Sequence, residues 1–517
     1  MVISLNIFER LTSMSSIKKL AGQTIWYGVP TIASRFLGYL MNMALPFLFQ
    51  QPEKTADLTQ VYALIPFLNI LFTYGMETTF FRFHAEKNRQ QLYNTLSVSL
   101  IGSTLLFSIL LYIATPWLTK ATGLEAHPEY LQWMVLILLF DTLSVLPFAV
   151  LRQENRPKKY AFVRVAGILI NILVVIIGLG IIPSFAKDHP DHLINRLLPA
   201  DIGIGYYIIG NICGAAFTWL LLYKEWKQIR FKWNGTLWKE VMQYSYPLII
   251  VGLGGMINDM LSRLVYQHVV DVPQEQARHE LGIFANLYRI AVLITIMIQA
   301  FRMAAEPFFF KQAKEEQAQK TYARVMKFFV LACCFMFLGI GLYLDVLKWI
   351  ITLKSEAWGE GINVVLLLAM GNIFLGIYYN LSIWYRLTNK NLYGAAITIG
   401  GAVITIALNI VLIPKLHYWG AAIATFTCYL FMMLVSYWLG QKYYPVPYAR
   451  KKIIAYLVLV SLVVVLHKGI LLLYTPLWFS VLTGTLLLLL FTLFVLKVEK
   501  KELQRLPLIG KYVQAYL

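Results

Sequence analysis

The residues of this chain that could do chemistry are charged side chains inside long apolar segments. Arg35 lies near the middle of the apolar segment 22–49, and Thr31, Gly38 and Asn42 share its helical face. A guanidinium in a membrane-spanning helix is too costly to face lipid, so this face should contact protein or a water-filled cavity. We predict that Arg35, with Asn42 beside it, lines a central cavity and binds an anion. The alternative is a structural arginine, paired with helix carbonyls or with one carboxylate.

Four further arginines lie in later apolar segments. Arg263 follows Asp259 by four residues, the order that favours an ion pair along one helix. Arg289 could reach Asp259 from the next helix, since consecutive elements often pack together. We predict substrate contact for Arg263 and Arg289, and a self-satisfied Asp259–Arg263 pair is the structural alternative. Arg164 and Arg302 lie near segment ends, where snorkelling to lipid phosphates is the simpler explanation.

The carboxylates in these segments are fewer than the bases. Glu77 closes the second segment and could pair with Arg35 or Arg82, and Asp141 lies within the fourth. A carboxylate buried without a partner can take up a proton, whereas one paired with an arginine stays charged. No cofactor is expected beyond a coupling ion, H⁺ or Na⁺. The residues predicted to balance charge or couple an ion are Glu77, Asp141, Asp259 and Glu306.

The composition indicates that these apolar segments span a membrane. Hydrophobic residues form 59% of the 517 residues and charged residues only 14%, against about 25% charged residues in ordinary soluble domains. The chain is therefore predicted to be an all-α polytopic membrane protein with about fourteen spans of roughly 20 residues. The predicted spans are 22–49, 58–80, 93–115, 130–150, 160–183, 202–223, 241–268, 281–303, 323–350, 361–386, 391–414, 418–439, 452–473 and 475–496.

Basic residues gather in every second connection, for example in 152–159, 224–232 and 450–452. By the positive-inside rule these connections and both termini are cytoplasmic. The net charge of +19 therefore reflects topology and does not indicate nucleic-acid binding. No disulfide framework, metal-ligand spacing or enzyme motif is visible. Translation from Met1 and translation from Met14 both fit the sequence.

Related sequences recur in the two halves of the chain. RQENRPKKY at 152–160 and RLTNKNLY at 386–393 each lead into an apolar segment, and ETTFFR at 77–82 corresponds to EPFFFK at 306–311. The same order and orientation predict two six-helix lobes related by an axis along the membrane normal. The predicted divisions are a cytoplasmic lead-in at 1–21, an N-lobe at 22–230, a C-lobe at 231–445, and two further spans with a cytoplasmic tail at 446–517.

Four stretches carry a family resemblance: SRFLG at 34–38, GMETTFFR at 75–82, RMAAEP at 302–307 and YYNLS at 378–382. With the fourteen-span layout, they are similar to the polysaccharide or O-antigen flippases of the multidrug/oligosaccharidyl-lipid/polysaccharide (MOP) exporter superfamily. The resemblance implies two lobes that alternate between inward-open and outward-open states. It also implies that Arg35 lines a cationic cavity for a lipid-linked pyrophosphate. The chain lacks the dense cluster of cavity arginines of the lipid II flippases, so lipid II is a less expected substrate.

The function implied by this resemblance is a flippase of the bacterial inner membrane, not an enzyme. It would move an undecaprenyl-pyrophosphate-linked oligosaccharide from the cytoplasmic to the external leaflet. Its expected partners are that lipid-linked oligosaccharide and membrane lipids, with polysaccharide polymerase and glycosyltransferases as further candidates. One alternative is a drug or metabolite cation antiporter of the same superfamily, which should have an acid-dominated cavity. The other is a membrane glycosyltransferase or polymerase, which would need a large external loop or a clustered acid/base site.

Overall fold

The computed structural model describes residues 36–504, except 42, 50, 85, 155, 190–191, 193–201, 314 and 389. Arg35 and Asn42, on which the first prediction depends, lie outside the described residues. Within the described part all regular structure is helical, so the predicted fold class is confirmed. The α-helices are α1 (Phe36–Leu48), α2 (Ala56–Thr73), α3 (Met76–His84), α4 (Arg89–Thr122), α5 (Glu129–Gln153), α6 (Pro157–Ile176), α7 (Ile182–Asp188), α8 (Gly205–Leu221), α9 (Tyr223–Trp226), α10 (Gly235–Val269), α11 (Gln274–Gln312), α12 (Ala318–Leu342), α13 (Leu344–Ile351), α14 (Val364–Leu381), α15 (Ile383–Leu387), α16 (Asn391–Leu416), α17 (Tyr418–Tyr443), α18 (Arg450–Leu471), α19 (Leu477–Val498) and α20 (Lys500–Leu503).

The predicted spans correspond to these helices. Among the described residues, 12 helices are long and apolar enough to cross a membrane, some of them counted together with a short neighbouring helix. Two shorter apolar helices, α1 and α8, lie where the first and sixth spans are predicted. Helices of this length satisfy their own backbone hydrogen bonds, which hydrocarbon requires of any chain that crosses it.

The second span is bent between α2 and α3. Tyr74 and Gly75 have positive φ angles of 31° and 72°, so the helix cannot continue through them. The left-handed conformation costs a non-glycine residue about 1–2 kcal/mol. Contacts hold Tyr74 there, because its hydroxyl hydrogen-bonds Ser99 Oγ at 2.8 Å and Ser245 donates to its carbonyl. The bend is thus fixed by α4 and α10 together.

The helices pack around two main apolar cores. One core joins α2, α5 and α8 through fully buried residues such as Leu58, Leu138 and Ile208. The other joins α11, α12 and α14 through residues such as Ile290 and Val330. α10 packs against both α2 and α16, so it links the two halves. The residue boundaries of the lobes stay predictions.

Two ionic clusters attach the last two spans to α12 and α13. At one end, Lys327 Nζ lies 2.6 Å from both Glu499 Oε2 and Glu502 Oε1, with its side chain only 4% exposed. At the other end, Lys468 Nζ lies 2.8 Å from Asp345 Oδ1. Burial alone would raise the pKa of Glu499, but hydrogen bonds from Lys327, Lys452 and Tyr456 outweigh burial and lower that pKa. α18 and α19 are therefore held at both ends.

Candidate functional site

A cavity of about 670 Å³ lies among the helices of the first half. Walls come from α2, α3, α5, α6 and α8, and Met256 of α10 adds a contact from the second half. A polar hollow at membrane depth must contain water or a polar ligand, because unsatisfied polar groups are costly there. Its polar side chains are Asn69, Thr73, Glu77, Thr78, Asp141, Ser144, Arg164, Asn171, Asn211 and Thr218.

Asp141 and Arg164 are the two charged groups on the cavity wall that have no ionic partner among the described residues. Both side chains are exposed to the hollow, and Arg164 is near enough to act electrostatically on Asp141. Within the described residues, neither forms an ion pair within 4.0 Å. The Arg164 guanidinium instead lies 4.1 Å from the ring centroid of Phe148. Both charges are therefore available to a ligand.

Arg164 is the functional candidate that sequence reasoning assigned to the lipid interface. The structure places it on the cavity wall because α6 turns the stripe Arg164, Gly167 and Asn171 towards the hollow. These positions are spaced at i, i+3 and i+7, which is one helical face. That polar stripe in an apolar span was the signal that could have identified it.

Glu77 has a partner that the sequence did not suggest. It forms an ion pair with Arg152 at the end of α5, whereas Arg82 pairs with Glu86. The Arg152 guanidinium also lies 5.0 Å from the ring centroid of Phe81. Of the two partners that the sequence allowed, Arg82 pairs with Glu86 instead of Glu77, and Arg35 lies outside the described residues.

Asp259 and Arg263 form the local ion pair that their spacing predicts, with Nη2 and Oδ1 3.5 Å apart. Tyr288 of α11 donates a hydrogen bond to Asp259, and its ring centroid lies 4.1 Å from the Arg263 guanidinium. Gln60 of α2 donates to the Arg263 carbonyl at 3.1 Å. The residue that reaches Asp259 from α11 is thus Tyr288 and not Arg289. This geometry fits the structural alternative for the pair.

Arg289 lies at the seam between the two halves. Its Nη1 is buried and has no hydrogen-bond partner among the described residues, and Tyr39, Tyr207 and Arg263 are the ionisable groups acting on it. Buried polar groups are nearly always satisfied, so this nitrogen is a candidate contact for a polar ligand. Substrate contact by Arg289 stays a prediction.

A polar path runs from the cavity towards Arg289. Asn171 Nδ2 donates to Asn211 Oδ1 at 2.9 Å, and Asn211 in turn donates to the Tyr62 hydroxyl. The Tyr62 and Tyr207 rings meet edge to face, with centroids 5.5 Å apart. This chain of contacts does not by itself show that the two sites are coupled. It does show that Arg289 lies close to the polar lining of the cavity.

Three predicted residues lack a described environment. Arg35 and Asn42 are outside the described residues, and so is the side chain of Glu306. Gly38, one turn after Arg35, is described, and a Cβ added there would lie 3.9 Å from Ile168 Cδ1. Because Ile168 lines the cavity, α1 runs beside the cavity wall.

The two halves are joined on the side predicted to be external. Arg278 of α11 makes a bidentate ion pair with Asp57 at the start of α2, with both nitrogen–oxygen distances 2.8 Å. His279 Nδ1 lies 3.1 Å from Glu53 Oε2. A Cβ added to Gly282 would lie only 2.1 Å from the Pro52 carbonyl oxygen. We call these contacts of α11 with residues 52–57 the external clasp.

A metal site is not evident in the described part of the chain, where no three His, Cys, Asp or Glu side chains are grouped to hold an ion. The charged groups that remain suited to a ligand are those of the cavity and Arg289. Together they can offer a guanidinium and amide donors to an anion, and a carboxylate to a cation.

Comparisons with known proteins relate this architecture to transporters. A model of the family described as "Polysaccharide biosynthesis protein" matches residues 20–313. Curated protein sequences give no match. The solved structure titled "Lipid II flippase MurJ, inward closed conformation" superposes with a TM-score of 0.69 at 14% identity, covering 92% of this chain and 99% of that one.

Multidrug transporters share the same fold. An inward-facing multidrug resistance MATE family transporter of the MOP superfamily gives a TM-score of 0.60 at 15% identity, covering 81% of this chain and 94% of its own. A mutant of the Vibrio cholerae MATE transporter VcmN gives 0.59 at 15% identity, covering 83% and 98%. At these identities the likeness concerns the fold alone.

Proposed function

The chain belongs to the polysaccharide biosynthesis protein family of the MOP superfamily, and from this premise we propose that it is a flippase for an oligosaccharide linked to undecaprenyl pyrophosphate. It would act by alternating access in the bacterial inner membrane, with both termini in the cytoplasm. The single observation that carries the proposal is the polar cavity in which Arg164 faces the hollow with no ionic partner in the described part of the chain.

The physical task is to carry a charged headgroup and hydrated sugars across hydrocarbon. A guanidinium replaces lost hydration of a phosphate with bidentate hydrogen bonds, which an ammonium does not match. Arg164 is placed to do this from the cavity wall, and Arg289 could do so at the seam. Arg35, which lies outside the described residues, is proposed from the family resemblance alone as a third cation of the headgroup site.

Asp141 is the residue that we propose for ion coupling. It is a carboxylate at membrane depth with no hydrogen bond to a described residue, so it can bind a proton or Na⁺ when no other cation is near. An anion bound at Arg164 would remove the positive field of that guanidinium from Asp141 and favour protonation. Glu77 is less suited to coupling, because Arg152 already neutralises it.

The test replaces Arg164 with alanine and measures lipid-linked repeat units on the cytoplasmic leaflet together with surface polysaccharide. Losing one charge-assisted hydrogen bond costs about 1.5–3 kcal/mol, or roughly tenfold to hundredfold in headgroup affinity. Precursor should accumulate inside and surface polysaccharide should fall. Arg164→Lys should recover little of the loss, since lysine cannot bind a phosphate bidentately.

Arg82→Ala is the matched control. Arg82 pairs with Glu86, its side chain is 52% exposed, and it does not line the cavity. Normal polysaccharide in a well-expressed Arg164→Ala strain would remove Arg164 from the mechanism.

A cation antiporter is the second candidate, favoured by the unpaired carboxylate of Asp141. A cationic drug would bind Asp141 directly, and Arg164 would then oppose binding. Efflux of cationic dyes that increases in Arg164→Ala and disappears in Asp141→Asn would support the antiporter. A membrane glycosyltransferase has no support of this kind, because the family and the similar folds are those of flippases and transporters.

A further inference from the structure

A second hollow, of about 530 Å³, lies between α2, α4 and α10. α2 turns Leu68, Leu71 and Phe72 towards this hollow, while Asn69 and Thr73 of the same helix face the transport cavity. One helix therefore separates the two spaces. Because α2 and α4 belong to the first half and α10 to the second, the hollow lies in the seam between the halves. We call it the seam groove.

The seam groove opens to the lipid. Most of its lining is apolar, and Leu71 and Leu110 at its edge are 41% and 52% exposed. All three helices are long enough to span the membrane, so what reaches these side chains is hydrocarbon and not water. An empty apolar hollow forfeits dispersion contacts, and water needs polar partners that this part of the groove lacks. An acyl chain of a lipid would supply these dispersion contacts to the apolar walls and needs no polar partners.

One end of the groove is closed by neutral hydrogen bonds. Trp238 Nε1 donates to Ser99 Oγ at 2.9 Å, and Ser99 Oγ in turn lies 2.8 Å from the Tyr74 hydroxyl. Ser103 Oγ donates to the same Tyr74 hydroxyl at 3.2 Å. These groups satisfy one another, so they do not form a site for a charged headgroup.

Basic side chains lie just beyond this end, where α10 begins. Arg230, Lys232 and Lys239 are exposed, and Trp233 next to them packs on Trp238 with ring centroids 5.6 Å apart. Basic residues at the boundary of a span attract anionic lipid headgroups, and tryptophans favour the same interfacial level. The groove thus has an apolar body and a cationic mouth.

We propose that the seam groove binds an acyl chain of an anionic glycerophospholipid, with the phosphate at Arg230, Lys232 and Lys239. This site does not depend on the proposed transport substrate. A polyprenyl chain with its headgroup at Arg164 would have to pass around α2 to enter the groove, because α2 lies between groove and cavity. Tyr74, the residue at the bend of the second span, forms part of the groove wall. The bound chain therefore packs against the bend and stabilises the present arrangement of α3, α4 and α10.

The experiment places a photoreactive amino acid at Leu110 in the full-length protein. The protein is extracted in detergent, washed extensively, irradiated and analysed by intact-protein mass spectrometry. We expect a mass adduct of a glycerophospholipid at Leu110. The matched control is Leu105, which is on another face of α4, is 49% exposed and does not line the groove. It should carry only detergent after washing.

Two variants distinguish the groove and its mouth. Ala114→Phe places a ring in the groove and should abolish the adduct, whereas Ile109→Phe, 58% exposed and outside the groove, should not. Lys232→Ala with Lys239→Ala should lower the anionic share of retained lipid severalfold. Added phosphatidylglycerol should raise the melting temperature of the wild type and not that of Ala114→Phe. A polyprenyl adduct, or detergent alone at Leu110 in folded protein, would overturn the proposal.

Discussion

At the scale of single residues, the cavity combines one satisfied and one unsatisfied pair of charges. Glu77 and Arg152 neutralise each other, but Asp141 and Arg164 face the hollow without direct contact. Two charges that already form an ion pair neutralise each other and attract a charged ligand weakly. Two separated charges can each attract a ligand group of the opposite sign. Function should therefore respond more strongly to changes at Asp141 and Arg164 than at Glu77.

Asp141→Asn provides a test of coupling at this scale. The amide keeps the size of the side chain but cannot take up a proton or a charge-balancing Na⁺. If Asp141 carries the coupling ion, transport into vesicles should lose its dependence on an imposed ion gradient. Ser144→Ala, one turn away on the same wall, should keep that dependence. If transport by the Asp141→Asn variant still depends on the ion gradient, another residue carries the coupling ion.

Arg35 can be tested in the same assay. Arg35→Ala should lower surface polysaccharide if the first-span arginine contacts the headgroup, as the family resemblance implies. Expression and membrane insertion must be unchanged for the result to count. Normal polysaccharide with normal expression would remove Arg35 from the mechanism and leave Arg164 as the main cation of the cavity.

At the scale of helices, the attachment of α18 and α19 depends on a buried lysine. Lys327→Ala should destabilise the protein by about 3 kcal/mol, the lower end for breaking a buried ion pair, because Lys452 still neutralises Glu499. Arg324→Ala, in a solvent-exposed pair with Glu502, should cost no more than about 1 kcal/mol. Denaturant unfolding in detergent measures both, and equal losses would refute the role of burial.

The same cluster predicts a loss of stability in acid. The pKa of Glu499 is lower in the folded protein than in the unfolded chain, so the folded state binds this proton less readily. Its contribution to stability is complete above the unfolded pKa, about 4.3, and disappears as the pH falls through the lower folded pKa. Unfolding followed from pH 7 down to pH 3 should show this loss, and Glu499→Gln should show a smaller one.

At the scale of the whole molecule, the contacts between the halves differ on the two sides of the membrane. On the side predicted to be external, Arg278 makes a bidentate ion pair with Asp57, whose side chain is only 7% exposed. On the other side, Lys87 and Glu240 form an ion pair whose side chains are 35% and 45% exposed. Exposed pairs contribute about 0–1 kcal/mol, and buried bidentate pairs cost more to break. Separation of the halves should therefore start on the side predicted to be cytoplasmic.

Gly282→Ala tests the external clasp. The new Cβ would collide with the Pro52 carbonyl oxygen, so α11 and residues 52–57 must separate. A cysteine at buried Asn286, one turn deeper, should then react with a membrane-impermeant thiol reagent added from outside. Gly255→Ala is the control, since nothing lies within 4 Å of a Cβ there. Equal labelling of the two variants would show that the clasp does not control access.

The sequence by itself determined the features that depend on neighbours along the chain. Apolar length is a local property, so it predicted the spans, and the four-residue spacing offered the Asp259–Arg263 pair as one of two alternatives. The family also followed from contiguous stretches. The tertiary structure alone decided that Arg164 and Asp141 line one cavity, that Glu77 pairs with Arg152, and that Tyr288 is the residue of α11 that contacts Asp259. Each of these depends on which faces of separate helices meet, and periodicity within one helix does not specify that packing.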